Sequence, residues 1–408
     1  MRMDDVNKIA TPVLDRSAEP RAYERIRTQI MDLQTENIAE LAVRAKSLTD
    51  VITLWYGEGD LVTPDFIRDA AKASLDAGNT FYVPDMRGLP ALTEALSAYL
   101  TNLHGRDIPV ARSTITPGGM QAVFLALELI VDRGDNVVFI EPQWPNIKSA
   151  IHVVGGEPRP VALRYENNDW RLDLDELFAR CDARTKAIMF STPSNPLGWT
   201  ASPEELEALI AFSRRTGIWI ISDELYNRLD FTADRAPSVL QIAEDEDLVM
   251  SVNGFSKAWA MTGWRLGWLT HPKSVATPLA AMTQYINSGS AAFVQAAGLA
   301  AITRGENFVK QVRERCRAGV DAAHEALSGL NSIVLPEKPK GGMYVTFAVA
   351  GEADSRNACT RILEDARVGL APGWLFGESS NAFLRMCVCR DTKQIGEASR
   401  RIANALGE

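Results

Sequence analysis

The chain has 408 residues, with 43 Lys+Arg against 52 Asp+Glu for a formal net charge of −9, and is 46% hydrophobic and 23% charged. That balance excludes a disordered chain, and the acidic excess argues against nucleic acid as a partner, because such binding draws on clustered Lys and Arg. At about 150 residues per domain, two or three domains are expected; the five scattered cysteines do not form a disulfide framework, which points to a reducing cytoplasm.

Met1-Arg2-Met3-Asp4-Asp5 leads into charged residues without an apolar stretch, so no signal peptide is expected. Residues 22–49 read as helix, with apolar positions at Ile38, Leu41, Ala42 and Ala45 and charges between them. Ile115-Thr116-Pro117-Gly118-Gly119 reads as a strand and a double glycine, followed by a helix from Gly119 to Asp132. The apolar stretch within that helix, Ala122 to Val131, is broken by Glu128 and is far short of the roughly 20 residues of a membrane span, so no membrane partner is expected. Asn136 to Ile140 is a short apolar run between Gly134-Asp135 and Glu141-Pro142, and Ala187 to Ser191, Ile218 to Ser222 and Leu248 to Val252 repeat the pattern. Such runs suit strands covered on both faces. Ser202-Pro203-Glu204-Glu205 opens a helix to Thr216 with a cap residue and a proline at the first helical position. Alternation of this kind indicates βαβ units and a mostly parallel sheet.

The last hundred residues mix helix (Asn307 to Leu327), strand (Met343 to Ala348) and a closing helix (Thr392 to Leu406), an α+β pattern. The expected fold is α/β, with a large mostly parallel-sheet α/β/α domain over 62–310. A smaller α+β domain is formed by both chain ends, the N-terminal segment 1–61 and residues 311–408.

Chemistry concentrates where strands end, the place at which open α/β sheets bind ligands. Asn253-Gly254-Phe255-Ser256-Lys257-Ala258-Trp259 follows a strand and sets one lysine among small and aromatic residues. Desolvation there lowers an amine's pKa and frees it as a nucleophile, although a lysine at a strand end also snorkels to solvent. The Gly118-Gly119 turn before a helix presents backbone N–H groups suited to phosphate, while G-x-G-x-x-G and G-x-x-x-x-G-K-[ST] are absent, against dinucleotide or Walker-type binding. Asn195 stands between Pro193 and Pro196, presenting one amide from a rigid loop, and Asp223-Glu224-Leu225-Tyr226 ends an apolar strand with a carboxylate that needs a partner. A protonated ring nitrogen and a helix N-cap are both open readings for Asp223.

In combination and order, the Gly-Gly turn, Asn195-Pro196, Asp223-x-x-Tyr226 and Ser256-Lys257 with Met261-Thr262-Gly263-Trp264-Arg265 resemble the class I/II aminotransferases, pyridoxal phosphate (PLP) enzymes of fold type I in the aspartate aminotransferase superfamily. The similarity runs from Leu54 to the last helix. It implies that Lys257 holds PLP as a Schiff base and moves a proton between the substrate and the cofactor. It implies that Asp223 pairs with the ring nitrogen and that Tyr226 and Asn195 hydrogen-bond the ring oxygen. Arg265, eight residues after the lysine, would clamp the phosphate with the Gly119 and Met120 amides, with Ser256 a lesser ligand. Trp144 would stack on the ring, or serve as a core tryptophan. Arg385, in Phe383-Leu384-Arg385-Met386, would grip the substrate α-carboxylate, and Gly57 would admit the substrate close to the N-terminal segment. Tyr82 would reach the phosphate of a neighbouring subunit, which implies a homodimer with shared sites.

The chain departs from the family pattern at Gly254, where Ser or Thr is common, at Leu197 within Asn195-Pro196-Leu197-Gly198, and at Gly59 within Gly57-Glu58-Gly59-Asp60. Between Lys273 and Arg304 there is no Lys or Arg, so the arginine that aspartate-specific relatives supply there for a distal carboxylate is missing. Tryptophans at 55, 144, 199, 259, 264 and 374 lie in or beside these motifs. The expected activity is therefore transfer of an amino group from an L-amino acid, neutral or aromatic slightly favoured, to a 2-oxo acid in ping-pong fashion. A PLP-dependent C–S β-lyase or related synthase shares the same motifs, and a non-catalytic regulator would share the fold.

Overall fold

Short apolar runs bounded by Gly, Pro and Asp become the strands of a seven-stranded sheet. In the computed structural model, which describes residues 22–33 and 38–408, the strands are β1 (Ser113–Thr116), β2 (Asn136–Glu141), β3 (Glu157–Ala162), β4 (Thr185–Ser191), β5 (Trp219–Asp223), β6 (Val249–Gly254) and β7 (Gly267–Thr270). Their order across the sheet is β1-β7-β6-β5-β4-β2-β3. The β2/β3, β2/β4, β4/β5 and β5/β6 pairs are parallel, whereas β7 runs antiparallel to β1 and β6.

Period-two alternation sends neighbouring side chains to opposite faces. Val138, Ile140, Ile188, Phe190 and Ile220 enter one core, and Val137, Phe139, Ala187, Met189 and Ile221 enter the other. Helices cover both faces, which is why these strands are apolar throughout instead of alternating with polar residues. The helix Pro203–Thr216 starts with a capping box between Ser202 and Glu205 and stops at Gly217, whose φ of 75° an L side chain resists.

A second, four-stranded antiparallel sheet is ordered 333–334, 344–349, 383–387, 371–372. Its core joins Leu41, Leu54 and Trp55 to Val320, Phe347, Ile362, Ile395 and Ile402, and Ile52–Thr53 pairs in parallel with Val368–Gly369. Residues on both sides of the central sheet thus share one core. The helix Glu306–Leu327 runs through position 310 without a break, with Val309 in the first core and Val320 in the second.

The helix expected over 22–49 is a correction. In the N-terminal unit Met1–Thr35, the described residues hold a 3-10 turn at Ala22–Arg25 and a short helix at Thr28–Met31, parted by Arg27 in extended backbone with φ −55° and ψ 135°. Beyond residues 34–37, which lie outside the described residues together with 1–21, a helix spans Ala39–Ala45. The apolar spacing cited for the longer helix covers only 38–45, and the buried contact of that stretch is Leu41. The Ala39–Ala45 helix packs on the second core through Leu41, Ala42 and Ala45, whereas Thr28–Met31 is a single turn with no buried residue. No helix among the described residues is long and apolar enough to cross a membrane.

Because four of the sheet pairings are parallel, the C-terminal ends of β2, β4, β5 and β6 open on one edge. The antiparallel β7 begins there too, with Gly267 beside both Thr116 and Gly254. The loops bearing Trp144, Asn195, Tyr226, Lys257 and Arg265 all leave from that edge, as does the Gly118-Gly119 turn after β1.

Candidate active site

Two glycines bring a cation to a helix N-terminus. Gly118 is the N-cap of the helix Gly119–Ile130, has φ 92° and leaves the helix without a side-chain cap. A Cβ on Gly118 would lie 2.5 Å from Arg265 Nη2, and one on Gly267 would lie 2.8 Å from the Gly119 nitrogen. Arg265 therefore packs against the turn whose first N–H groups belong to Gly119 and Met120. It sits in left-handed backbone at φ 53°, with Nη1 donating to the Thr262 carbonyl at 2.8 Å. Free N–H groups, a helix dipole and a guanidinium together suit a phosphate. Ser256 is buried and lines a small cavity with Lys257, Glu58 and Thr262.

Asp223, at the end of β5, is buried in register beside Ser191 of β4. Ser191 Oγ donates towards Asp223 Oδ2 at 3.1 Å and towards Gln143 Oε1 at 2.9 Å, and Leu225 N–H donates to Asp223 Oδ1 at 3.2 Å. Burial pushes the Asp223 carboxyl up from 3.8 to about 6, against the lowering by those hydrogen bonds and by Lys257. A carboxyl held above its unfolded value binds more protons when folded, so its contribution to stability falls as pH rises between about 4 and about 6. In the cofactor-free protein, Asp223→Asn removes that loss. Its unfolding free energy is expected to gain on the native protein across this window, by on the order of 2–3 kcal/mol at neutral pH. Parallel pH–stability curves for the two proteins would contradict it.

Lys257 keeps part of its surface open, but its amine is enclosed: Nζ donates to the Gly57 carbonyl at 2.5 Å and stands 5.8 Å from the Tyr226 ring centroid. Burial lowers its pKa from the ordinary lysine value, offset by Cys387 and Glu58 and reinforced by Arg385 and Arg265. That lowering favours the neutral amine, the form that acts as nucleophile and base.

Arg385 is buried at 4% exposure. Its Nη1 donates to Asn195 Oδ1 at 2.7 Å and its Nη2 to the Trp55 carbonyl, while Nε is buried without a partner. The rings of Tyr344 and Phe376 lie 4.5 and 4.7 Å from its guanidinium carbon. A buried cation with a donor to spare is suited to a carboxylate. Gly57 is explained by the same cluster, because a Cβ there would overlap the Tyr344 hydroxyl. That hydroxyl is 2.6 Å from Tyr226 Oη.

The structure thus gathers Gly57, Asn195, Asp223, Tyr226, Lys257 and Arg385 around one centre, linked by the contacts above, and puts Arg265, Gly119 and Met120 at the cradle on the same sheet edge. Trp144 is half-buried at the start of the helix Pro145–Val154 and packs on the core of that sheet face. Tyr82 stands apart, 82% exposed, next to Phe81 at 84%. Sequence reasoning missed Ser191, Gln143 and Tyr344. Ser191 and Tyr344 lie inside strands that read only as apolar core; pairing of β4 with β5 would have placed Ser191 beside Asp223, but Tyr344 carries no local signal.

The donor set fits PLP: a desolvated amine for the aldehyde, a buried carboxyl in need of a cation, and a helix-end cradle with an arginine for the phosphate. Residues 49–402 match the family described as aminotransferase class I and II. The chain is 32% identical to an aspartate aminotransferase of Pyrococcus horikoshii over 391 residues, 95% of this chain and 98% of that one. It is 29% identical to aromatic-amino-acid aminotransferase 2 of Thermococcus litoralis, over 91% of this chain and 95% of that one. The crystal structure of an aspartate aminotransferase from Thermotoga maritima superposes with a TM-score of 0.85 at 30% identity, covering 94% of this chain and 100% of that one. The central sheet and its flanking helices are those of fold type I, and with family, fold and donor set in agreement, the chain belongs to the class I and II aminotransferases and is a PLP-dependent transaminase.

Proposed function

We propose that the cluster around Lys257 is the transamination site and that each of its side chains has one task. The observation that carries this is the meeting of the enclosed Lys257 amine, the buried Asp223 carboxyl and the Asn195–Arg385 pair at one sheet edge, with Arg265 on the Gly118-Gly119 turn beside them. PLP, when bound, supplies an electron sink for the pair left at the substrate's α-carbon. Arg265 and the Gly119 and Met120 amides hold its phosphate, with Ser256 alongside, and Trp144 covers a ring face. Asp223 carries a negative charge opposite the ring nitrogen, oriented by Ser191 and Leu225 N–H. Tyr226 and Asn195 donate to the ring oxygen. Arg385 would bind the substrate carboxylate through its fork, orienting the α-hydrogen towards Lys257 Nζ, which would take the proton from the α-carbon and deliver it to the cofactor's aldehyde carbon, two bonds away. The donor leaves as a 2-oxo acid before the acceptor binds, a ping-pong sequence.

The surroundings of Arg385 are aromatic (Tyr344, Phe376) and amide (Asn195). With no Lys or Arg between Lys273 and Arg304, this favours a neutral or aromatic amino donor over a dicarboxylate. A panel of amino acids ranked by kcat/KM tests the preference: phenylalanine or a neutral aliphatic acid is expected above aspartate, and aspartate at the head of the ranking overturns it.

The site is shared in a homodimer in this reading. The exposed Phe81, Tyr82 and Tyr285 are apolar surface that a second copy would cover, with Tyr82 reaching the partner's phosphate. Light scattering at the mass of a single chain overturns it. Free thiols at all five cysteines support a reducing, cytoplasmic setting, which fractionation of the source cells tests. The chain ends 1–61 and 311–408 form the small domain in the same reading, and 62–310 the large one, a division that limited proteolysis tests.

A further inference from the structure

Tyr344 is a fully buried side chain that touches three parts of the site at once. Its hydroxyl is 2.6 Å from Tyr226 Oη, the two rings meet edge-on at 5.7 Å and 70°, the Arg385 guanidinium carbon lies 4.5 Å from its ring centre, and its hydroxyl fills the space a Cβ on Gly57 would need. Each tyrosine has one hydroxyl proton, so only one of the two can donate across that 2.6 Å contact. A cation over a phenol ring withdraws electron density and makes its O–H the stronger donor. Arg385 lies 4.5 Å from the Tyr344 ring centre, closer than the 5.8 Å between Lys257 Nζ and the Tyr226 ring, and favours Tyr344 in that role.

We propose that Tyr344 is a positioning residue whose hydroxyl donates to Tyr226 Oη and so commits the Tyr226 proton to the cofactor's ring oxygen. This rests on the reading that Tyr226 serves that oxygen. Tyr226, having accepted, has its proton left for one acceptor outside the pair, and hydrogen bonds in series polarise one another, so the accepted bond strengthens the donated one. Burial pushes both phenols above the ordinary tyrosine value, so neither ionises near neutral pH; Asp223, Lys257, Arg385, Cys387 and Cys316 are the other titratable or charged groups that face the pair. Gly57 follows from the same arrangement, since any side chain there would displace the Tyr344 hydroxyl from Tyr226.

The test is the pH midpoint of the visible absorbance of the PLP-loaded protein, which reports loss of the proton shared between the Lys257 nitrogen and the ring oxygen. A donor to that oxygen stabilises the deprotonated form and lowers the midpoint. Tyr226→Phe is expected to raise it by about 1 pH unit, and Tyr344→Phe, with Tyr226 intact, by about 0.3–0.5 unit, in line with the loss of a direct and of an indirect hydrogen bond. The double variant is expected to match Tyr226→Phe alone, because the two groups act in series. Incorporating 3-fluorotyrosine at 344 keeps the buried hydroxyl and sharpens its acidity, so the midpoint is expected to fall instead, which separates the hydroxyl's role from packing even if the phenylalanine variant folds poorly. If Tyr226→Phe shifts the midpoint while Tyr344→Phe and the fluorinated protein do not, the proposal is overturned and the reading of Tyr226 stands. No shift with Tyr226→Phe overturns both. Additive shifts in the double variant also overturn it, since they place Tyr344 outside the Tyr226 path.

Discussion

Lys257→Ala is expected to abolish turnover while leaving the fold and a measurable noncovalent affinity for PLP. The substitution removes the amine whose Nζ donates to the Gly57 carbonyl and stands over the Tyr226 ring. It takes away a covalent anchor and a proton carrier at once, so the loss in kcat should exceed the about 10²–10⁴-fold that positioned acid–base catalysis supplies by itself. The phosphate cradle is built from Arg265 and the Gly118-Gly119 turn and does not use the Lys257 amine, which is why PLP binding should survive in weakened form. Since the native lysine is held in an enclosed place at the cost of its solvation, the alanine variant is expected to melt at or above the native temperature in the cofactor-free state. Steady turnover by Lys257→Ala would rule out Lys257 as the proton carrier, and loss of all PLP binding would mean the cradle has been misassigned.

Arg385→Lys is expected to lower kcat/KM by about 10–100-fold for amino-acid donors, mainly through KM, because a charged hydrogen bond is worth about 1.5–3 kcal/mol and about 1.4 kcal/mol corresponds to tenfold. A lysine keeps the charge but not the planar fork. Arg385 now uses Nη1 for Asn195 Oδ1 and Nη2 for the Trp55 carbonyl, with Nε in reserve; an ammonium of shorter reach cannot hold those two oxygens and a carboxylate together. A parallel assay with an amine lacking the carboxylate isolates the effect, since that donor should show little difference between the two proteins. Equal losses for both donors would place Arg385 in the support of the fold instead of at the carboxylate.

The central sheet was legible because its strands are apolar on both faces: alternate residues such as Val137 and Val138, or Ile220 and Ile221, feed different cores, and nothing but a doubly covered parallel strand needs such a run. Asp223 was legible for the complementary reason, a charge at the end of a strand that has no room for one. The helix expected over 22–49 is shorter among the described residues, because the face that packs on the core and offsets the chain entropy runs only over Ile38, Leu41, Ala42 and Ala45. Glu306–Leu327 serves both cores in turn without a break, so no change of composition marks where one core gives way to the other. Ser191 and Tyr344 were invisible for a different reason. Their chemistry depends on what stands opposite in the folded sheet: Ser191 acts only because β4 registers it against Asp223, and Tyr344 only because its strand carries it under Arg385 and against Tyr226.

Whether this site moves an amino group or eliminates one is decided by a half-reaction. PLP-loaded protein is mixed with an excess of the best amino donor, no acceptor acid is added, and the 2-oxo acid and ammonia released are counted per chain. One equivalent of 2-oxo acid per chain, no ammonia, and resumed release once a second 2-oxo acid is supplied is the predicted result. Continuous formation of 2-oxo acid with matching ammonia would contradict it.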